Sequence, residues 1–332
     1  MNLGGPDSPE AVEPFLFNLF NDPDIIDFPL SFLFRKRLAR LISSRRSGRV
    51  MKQYAEIGGK SPILDLTGRQ AELLSDRFKA ADIDARVHIA MRYWKPFTKE
   101  AVEGLERDRV DRIVLLPLYP HYSKSTTASS FREWDRIVAD RPAIASAETI
   151  RIESYYDFEL YIDAIIERIS QGLMRFPEDK RGEVNVLFSA HGTPMKLVRD
   201  GDPYSHHIRK TVAAVVKRSG LTQQHHLCFQ SKVGPMKWLT PSTPDTIAEL
   251  AESGVKNMLV VPIAFVSDHL ETLYEVGIEF RRQAMARGVE RFEVTEGLND
   301  SEKFADALFQ LVLRALEGKK ELENVKSGRV SA

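Results

Sequence analysis

The sequence predicts an α/β protein made of two Rossmann-like, doubly wound domains with parallel sheets. Short β-branched apolar runs alternate with longer amphipathic runs along the 332 residues, an order that is typical of parallel βαβ units. A weak internal repeat also supports two similar halves, because residues 113–123 and 258–267 both read as a buried strand carrying a proline, followed by a polar loop. The predicted strands are Ala85–Met91, Arg112–Tyr119, Glu183–Ala190, His226–Gln230, Asn257–Phe265 and Arg291–Thr295.

The boundary between the two halves is predicted near residue 150. The N-terminal domain would cover residues 1–150 and be joined by a C-terminal helix at 300–318, and the C-terminal domain would cover 151–299. Doubly wound domains usually begin with a strand, whereas this sequence begins with MNLGGP, which already resembles a strand-to-helix turn. We therefore expect the first strand of the N-terminal domain to be missing.

Charge and cysteine content exclude several classes of protein. Lys plus Arg and Asp plus Glu both number 47, so no global field attracts nucleic acid. Cys228 is the single cysteine, and one thiol cannot form an intrachain disulfide, a cysteine zinc site or an all-cysteine iron–sulfur cluster. No signal peptide is visible and no apolar run approaches the ~20 residues of a membrane span. These features predict a cytoplasmic protein.

His191 is the first candidate for catalysis. It lies in LFSAHGTP, at the carboxyl end of a predicted buried strand, and ligand sites of open α/β sheets lie outside these strand ends. A neutral imidazole at this place could bind a metal or accept a proton. The alternative is a loop histidine with a local hydrogen bond.

A row of acidic side chains follows the strand at Asn257–Phe265. Asp268, Glu271, Glu275 and Glu279 have the spacing i, i+3, i+7, i+11 and would share one face of a helix. Like charges at this spacing repel slightly, and binding of a cation or proton would relieve that repulsion. Two alternatives remain open, a solvated acidic face and a capping box between Asp268 and Glu271.

The N-terminal part contains an apolar cluster and then a basic one. The apolar residues exceed one helical stripe, so besides core packing we expect part of the set to face a ligand or a membrane. The glycines of IGGKSP precede a helix and could bring backbone N–H groups to an anion, although a capping turn on a solvated helix is an equal alternative. The apolar residues are Phe15, Leu16, Phe17, Leu19 and Phe20, and the basic ones are Arg35, Lys36, Arg37, Arg40, Arg45, Arg46 and Arg49.

Ser129 and Ser130 end a run of hydroxyl residues, PLYPHYSKSTTASS. Serine is a favoured residue before the first turn of a helix, so we predict that these two cap a helix beginning at Phe131. Anion binding is the alternative.

Taken in order, these blocks resemble the ferrochelatases. The matching segments are NLGGP, PFLFNLFNDPDII, IGGKSPI, MRYWKPFT, PLYPHYSKSTT, FSAHGTP, DPY, CFQSKVGPMKWLTP and PIAFVSDHLETLYEVGIEF. The resemblance is to bacterial ferrochelatases without an iron–sulfur cluster, and it implies two chelatase-type domains with a cleft between them. Some members of the family carry a cluster on several cysteines. Lys124 stands at one of those positions here, so we expect no cluster and no other cofactor.

The resemblance also implies roles for individual residues. His191 and Glu271 would face each other as the metal and proton pair, and Asp268, His269 and Glu275 would form a path for protons or metal. The porphyrin propionates would be bound by Arg45, Arg46, Arg49, Ser61 and Ser231. The macrocycle pocket would contain Leu3, Tyr54, Arg92, Tyr93, Tyr119, Trp238 and Phe265. Phe15, Leu16, Leu19 and Phe20 would form an apolar lip that meets the membrane.

The implied activity is insertion of ferrous iron into protoporphyrin IX to form protohaem, the last step of haem synthesis, with both substrates as partners. A coproporphyrin ferrochelatase or another tetrapyrrole metal chelatase is the nearest alternative, and a non-catalytic tetrapyrrole or metal carrier is the alternative of another class. We further expect a monomer that makes weak, reversible contact with the inner face of the membrane and binds no nucleic acid.

Overall fold

The computed structural model describes residues 1–25, 31–232 and 236–326, and the side chains of residues 31–33 and 319–326 lie outside that description. The first helices are α1 (Val12–Phe20), α2 (Ser31–Ala55), α3 (Ile63–Ala80), α4 (Thr98–Asp108), α5 (Thr127–Val138), α6 (Pro142–Ala145) and α7 (Glu159–Met174). A 3-10 helix (Glu178–Glu183) follows, and then come α8 (Met195–Arg199), α9 (Tyr204–Ser219), α10 (Thr243–Glu252), a π-helix (Glu271–Phe280), α11 (Arg281–Ala286) and α12 (Glu302–Lys326).

The strands form two parallel sheets, which confirms the predicted fold class. Sheet one pairs β1 (Arg112–Leu115) with β2 (Glu148–Arg151). Sheet two contains β3 (Asn185–His191), β4 (His225–Gln230), β5 (Asn257–Pro262) and β6 (Arg291–Val294), in the order β4-β3-β5-β6. The sequence missed β2, and the strand predicted at Arg112–Tyr119 ends four residues early.

The strand predicted at Ala85–Met91 does not form a ladder. Only its end is paired, where the Asn2 N–H donates to the Ala90 carbonyl and the Arg92 N–H donates to the Asn2 carbonyl, both at 2.9 Å. On the other side Met1 meets the end of sheet one, because the Leu118 N–H donates to its carbonyl at 2.8 Å. Residues 1–3 thus lie between the segment at residues 90–93 and the segment that follows β1, and form hydrogen bonds with both.

The second sheet has apolar side chains on both faces, as expected for a parallel sheet covered by helices. Leu187 and Cys228 point to one core and Phe188 and Phe229 to the other, and all four side chains are buried. The C-terminal helix α12 lies across the junction, where Phe309 packs on Phe78 of α3 with ring centroids 5.4 Å apart. The assignment of this helix to the N-terminal domain stays a prediction.

Two local predictions were wrong at the start of α5. The helix begins at Thr127, four residues before Phe131, so Ser129 and Ser130 lie inside its first turn and do not cap it. The Ser129 hydroxyl is used elsewhere, donating to Asp22 and accepting from Arg92 at 2.8 and 2.9 Å. A tertiary partner here overrides the local preference of serine for a cap.

No helix among the described residues is long and apolar enough to cross a bilayer.

Candidate active site

His191 and Glu271 face each other at the carboxyl end of the second sheet. His191 is the last residue of β3 and Glu271 is the first of the π-helix, which follows β5, the neighbour of β3. The His191 Nδ1 and a Glu271 Oε2 are 2.9 Å apart, and the two side chains remain 37% and 32% exposed. Parallel topology brings both strand ends to one edge, which explains how residues 80 positions apart meet.

The backbone around His191 is held closely. Gly192 follows it, and a Cβ at that position would stand 2.8 Å from the Gln230 carbonyl, so only glycine fits without a shift. The Tyr204 hydroxyl donates to the His191 carbonyl at 3.0 Å. The backbone that carries the His191 imidazole is therefore held in place, although His191 is the last residue of its strand.

Glu275 lies beside Glu271 and shares a serine with it. The Ser231 hydroxyl and N–H donate to the two Glu275 oxygens at 2.6 and 2.9 Å, and the same hydroxyl is 3.2 Å from Glu271. Ser231 adopts a left-handed backbone, φ +65°, which aims both of its donors at this carboxylate. Its predicted partner was a propionate, whereas in this structure it binds the acidic pair.

The pKa values of these groups diverge because their neighbours differ. Burial acts to raise the pKa of Glu271, but the His191 charge and hydrogen bond oppose it and lower the value to about 2. For Glu275, burial and then repulsion from Glu271 raise the pKa to about 7. Burial lowers the pKa of His191, yet Glu271 outweighs that effect and the net direction is upward.

Aromatic residues line part of the site. Phe265 packs edge-on against the His191 imidazole, with centroids 6.3 Å apart, and lies 4.4 Å from the His269 ring. The His269 Nε2 is 3.9 Å from the Glu271 carboxylate. Trp238 is carried by an antiparallel bridge to Pro194 and contacts the position of Gly192. The predicted residues Phe265, His269 and Trp238 are thus all near the pair.

Tyr54 of α2 lies close enough to Glu271 to be affected by its charge. The negative charge of Glu271 helps to raise the pKa of Tyr54, after the larger effect of burial, so the hydroxyl lies within the electrostatic reach of Glu271. Ser61 hydrogen-bonds Tyr54 and is buried. Tyr54 belongs to an apolar cluster that contains the four predicted lip residues, three of the predicted pocket residues and Leu270, which precedes the π-helix. The cluster consists of Val12, Phe15, Leu16, Val50, Tyr54 and Tyr93, flanked by Leu3, Leu19, Phe20, Ile57, Trp94 and Leu270.

The lip is less exposed than the sequence suggested. Phe15 and Leu16 are buried at 7% and 5% exposure, and Leu19 and Phe20 are half-buried. Arg46 lies over the Phe20 ring at 5.3 Å. In this conformation Phe15 and Leu16 pack inward on the apolar cluster rather than facing outward.

Arg92 and Tyr93 hold a buried aspartate that sequence reasoning missed. The Asp22 carboxylate, 1% exposed, accepts hydrogen bonds from Arg92 at 2.8 Å and Tyr93 at 2.6 Å, besides the one from Ser129. Tyr119 lies near Arg92, and burial raises the pKa of its hydroxyl. These pocket candidates therefore anchor the end of α1, and the only signal for Asp22 was its place in NDPDII.

The acidic row divides into separate environments. Asp268 turns away from the pair, because its carboxylate accepts from Thr272, Asn299 and the Gly297 N–H at 2.8, 2.7 and 3.1 Å. The alternative capping box is absent, since Glu271 pairs with His191. Glu279 lies two turns further along the π-helix, half-buried.

Arg45, Arg46 and Arg49 lie near one another on α2. No ion pair joins any of them to an acidic side chain within the described ranges. Burial and then the charge of Arg49 lower the pKa of Arg46, so these two guanidinium groups repel each other. This cluster can receive an anionic group.

Comparisons with known proteins agree with the motifs. A family model described as Ferrochelatase matches residues 1–316. A protein of Gloeobacter violaceus named Ferrochelatase is 46% identical over 95% of this chain and 96% of its own length. One of Geotalea uraniireducens with the same name is 45% identical over 94% and 95%.

Solved structures show the fold. SirB from Bacillus subtilis with Fe³⁺ superposes with a TM-score of 0.56, covering 76% of this chain and 90% of SirB at 13% identity. The sirohydrochlorin chelatase SirB in complex with cobalt gives a TM-score of 0.53 at the same identity, covering 77% and 92%. At such low identity the similarity shows the α/β fold alone.

Proposed function

Because this chain belongs to the ferrochelatase family, we propose that it inserts ferrous iron into protoporphyrin IX to give protohaem, with His191 and Glu271 as the reacting pair. One observation carries the proposal. An imidazole and a carboxylate 2.9 Å apart stand at a sheet edge that also receives Tyr54 from the N-terminal domain. A base and a metal ligand are thus combined where a flat apolar molecule could be clamped between domains.

Removal of the two pyrrole protons is the first chemical task. His191 Nδ1 faces Glu271, so Nε2 is the atom left to take a proton from the macrocycle. Glu271 stays ionised because its pKa is about 2, and its charge stabilises the imidazolium that forms. Glu275, with a pKa of about 7, can take up or release a proton near neutral pH beside the pair.

The second task is delivery of iron, which is a substrate here. Ferrous iron accepts imidazole and carboxylate ligands, and it must be held weakly enough to be released into the porphyrin. One histidine and one glutamate meet that demand better than a closed cage would. Coordination requires a neutral imidazole, so metal arrival would also drive a proton off His191.

The N-terminal domain would hold the macrocycle. Leu3, Tyr54 and Trp94 belong to the apolar cluster that meets Leu270, the residue before Glu271. Aromatic and propionate contacts at the rim can offset the strain of a bent ring, which exposes its nitrogen lone pairs. The arginines at 45, 46 and 49 would bind the propionates by charge-assisted hydrogen bonds.

We also infer that the protein works without an iron–sulfur cluster. Cys228 is the single thiol of the sequence. It is fully buried in β4, and burial raises its pKa to about 11. Such a thiol is a poor metal ligand because the thiolate is the coordinating form.

We infer peripheral membrane contact through α2 rather than through the whole lip. The exposed Phe34 and Leu41 lie seven residues apart on one face of α2. Along the chain, Arg37 lies between them and Arg45 follows Leu41. Helix α2 carries only basic charges, and each one near an anionic surface adds about 1 kcal/mol of attraction. Cosedimentation with anionic liposomes that falls with salt would support this, and binding insensitive to both lipid charge and salt would refute it.

Anaerobic turnover tests the main proposal. The protein is mixed with protoporphyrin IX and ferrous iron, and the absorbance change is followed over many equivalents, with coproporphyrin in a parallel series. We expect many turnovers that are lost in His191→Ala while porphyrin binding persists. A single stoichiometric uptake would instead favour a carrier, and faster turnover of the tetracarboxylate substrate would favour a coproporphyrin enzyme.

A further inference from the structure

Asn299 connects three parts of the molecule immediately behind Glu271. Its side chain accepts from the Asp268 N–H at 2.9 Å and donates to the Asp268 carboxylate at 2.7 Å. Its own N–H donates to the Val266 carbonyl at 2.9 Å. Its carbonyl accepts from Gln70 Nε2 of α3, in the other domain, at 2.8 Å. Every polar group of this one residue is used.

The geometry at Asn299 is demanding. Its φ is +41°, in the left-handed region, where asparagine is better tolerated than most side chains. Gly297 provides the necessary space, because a Cβ there would be 2.9 Å from Asn299 Oδ1 and 3.0 Å from the Asp268 nitrogen. Residues held in such conformations persist only where the surroundings fix them, and they concentrate at functional sites.

The hydrogen bonds of Asn299 reach the start of the π-helix. The Thr272 hydroxyl donates to the Asp268 carboxylate at 2.8 Å and accepts from the His269 N–H at 3.1 Å. Thr272 follows Glu271 directly, and the residue before the helix, Leu270, makes no side-chain capping hydrogen bond. The backbone that carries Glu271 is therefore fixed by Asp268 and Asn299 and, through Gln70, by the opposite domain.

We propose that Asn299 is a positioning residue for iron insertion, one that sets the place of Glu271 relative to His191 and couples it to the N-terminal domain through Gln70. This rests on the proposed function of the pair. Asp268, Gln70 and Asn299 are each less than 10% exposed, so water cannot easily replace the bonds. Asp268 would then act on Glu271 through the backbone and not as a relay of protons or metal.

Two substitutions test the proposal without forcing the backbone. Asn299→Gly removes the side chain where a positive φ suits glycine. Asn299→Asp keeps the size and sets a carboxylate against that of Asp268. Asn185→Ala is the matched control, because its side chain accepts from His226 at the opposite end of β3.

The assay measures kcat and KM for both substrates well below each variant's melting temperature. We expect kcat to fall about 10- to 100-fold in both Asn299 variants, as for a displacement near 1 Å at a reacting group, with porphyrin KM within twofold of wild type. Asn185→Ala should keep kcat. If both Asn299 variants keep kcat within twofold and lose only melting temperature, the residue is purely structural and the proposal fails.

Gln70→Leu supplies an independent measurement, since it leaves the Asn299 side chain in place and removes the hydrogen bonds from α3 to the Asn299 carbonyl and to Ser267. A fall in kcat with unchanged porphyrin KM supports coupling between the domains, and an unchanged kcat refutes that part. Wild-type turnover is measured first. If the wild type shows no turnover, the proposed function itself is refuted, whereas the ratio of variant kcat to wild-type kcat tests the role of Asn299.

Discussion

Replacing Glu271 with glutamine tests whether its carboxylate takes part in the reaction or only supports the structure. The change removes the negative charge that faces His191 but keeps the size of the side chain. Because the Glu271 carboxylate pairs with His191 at 2.9 Å and with the Ser231 hydroxyl rather than accepting from the backbone at the start of the π-helix, the helix should form normally in the variant. Turnover, in contrast, should lose both the stabilised imidazolium and a carboxylate ligand for iron.

The structure gives the relative size of the two effects. An ion pair whose side chains are about one third exposed contributes about 1 kcal/mol or less to folding, which lowers the melting temperature by about 2 °C. Loss of a group acting in proton transfer typically costs about 100- to 10,000-fold in rate. The lower value already corresponds to about 2.7 kcal/mol of barrier. The effect on activity should therefore clearly exceed the effect on stability.

The assay compares Glu271→Gln with Glu279→Gln, a control on the same helix two turns away. For each variant we would measure kcat, porphyrin KM and the melting temperature under identical anaerobic conditions. We expect the loss of kcat in Glu271→Gln alone, with porphyrin KM little changed. Equal losses in both variants, or a lower melting temperature with normal specific activity in Glu271→Gln, would refute the assignment.

Further predictions concern binding, stability and pH. His191→Ala should lower turnover at least about 100-fold while leaving porphyrin fluorescence titrations intact. Arg46→Ala should raise the KM for dicarboxylate porphyrins about 10- to 100-fold, since a charge-assisted pair contributes about 1.5–3 kcal/mol, with no change for porphyrins lacking propionates. Asp22→Asn should cost about 2–3 kcal/mol of unfolding free energy because three side-chain donors lose a charged acceptor, and Asp7→Asn, at an exposed position, is its control. His121 is buried and its pKa falls to about 3, first by burial. As the pH drops below 6.5, His121 therefore binds a proton in the unfolded chain but not in the folded protein, so the free energy of unfolding declines. His121→Gln should flatten this decline, as measured by urea titrations at several pH values.

The second domain was more predictable than the first. Continuous apolar runs at β3 and β5 predicted buried parallel strands, and the sheet they form confirmed them within two or three residues. The segment at Ala85–Met91 has the same pattern but little to pair with, because Asn2 and Leu3 reach only its last residues. A strand depends on a neighbour, and composition alone does not report whether one is present.

The candidate site was predicted at the level of residue types and less well at the level of contacts. The positions of His191 and Glu271 at adjacent strand ends follow from parallel topology. The partners of Asp268 and Gln70 do not, because they lie 31 and 229 residues away along the chain. No local pattern encodes such pairs, and Ser231 illustrates the same point with its two bonds to Glu275.

Glu271 and Glu275, four residues apart on the π-helix, repel each other, and the structure gives them different hydrogen-bond partners. Thr272, Val276 and Phe280 are buried at the same interval. His191 pairs with Glu271 alone, whereas the Ser231 hydroxyl donates to both carboxylates and its N–H to Glu275. Burial acts to raise the pKa of Glu271, but the His191 charge lowers it to about 2, while burial and then repulsion from Glu271 raise the pKa of Glu275 to about 7. Neighbouring acids with divergent pKa values can divide acid and base roles, and a proton leaving the macrocycle would pass from His191 towards the more basic Glu275.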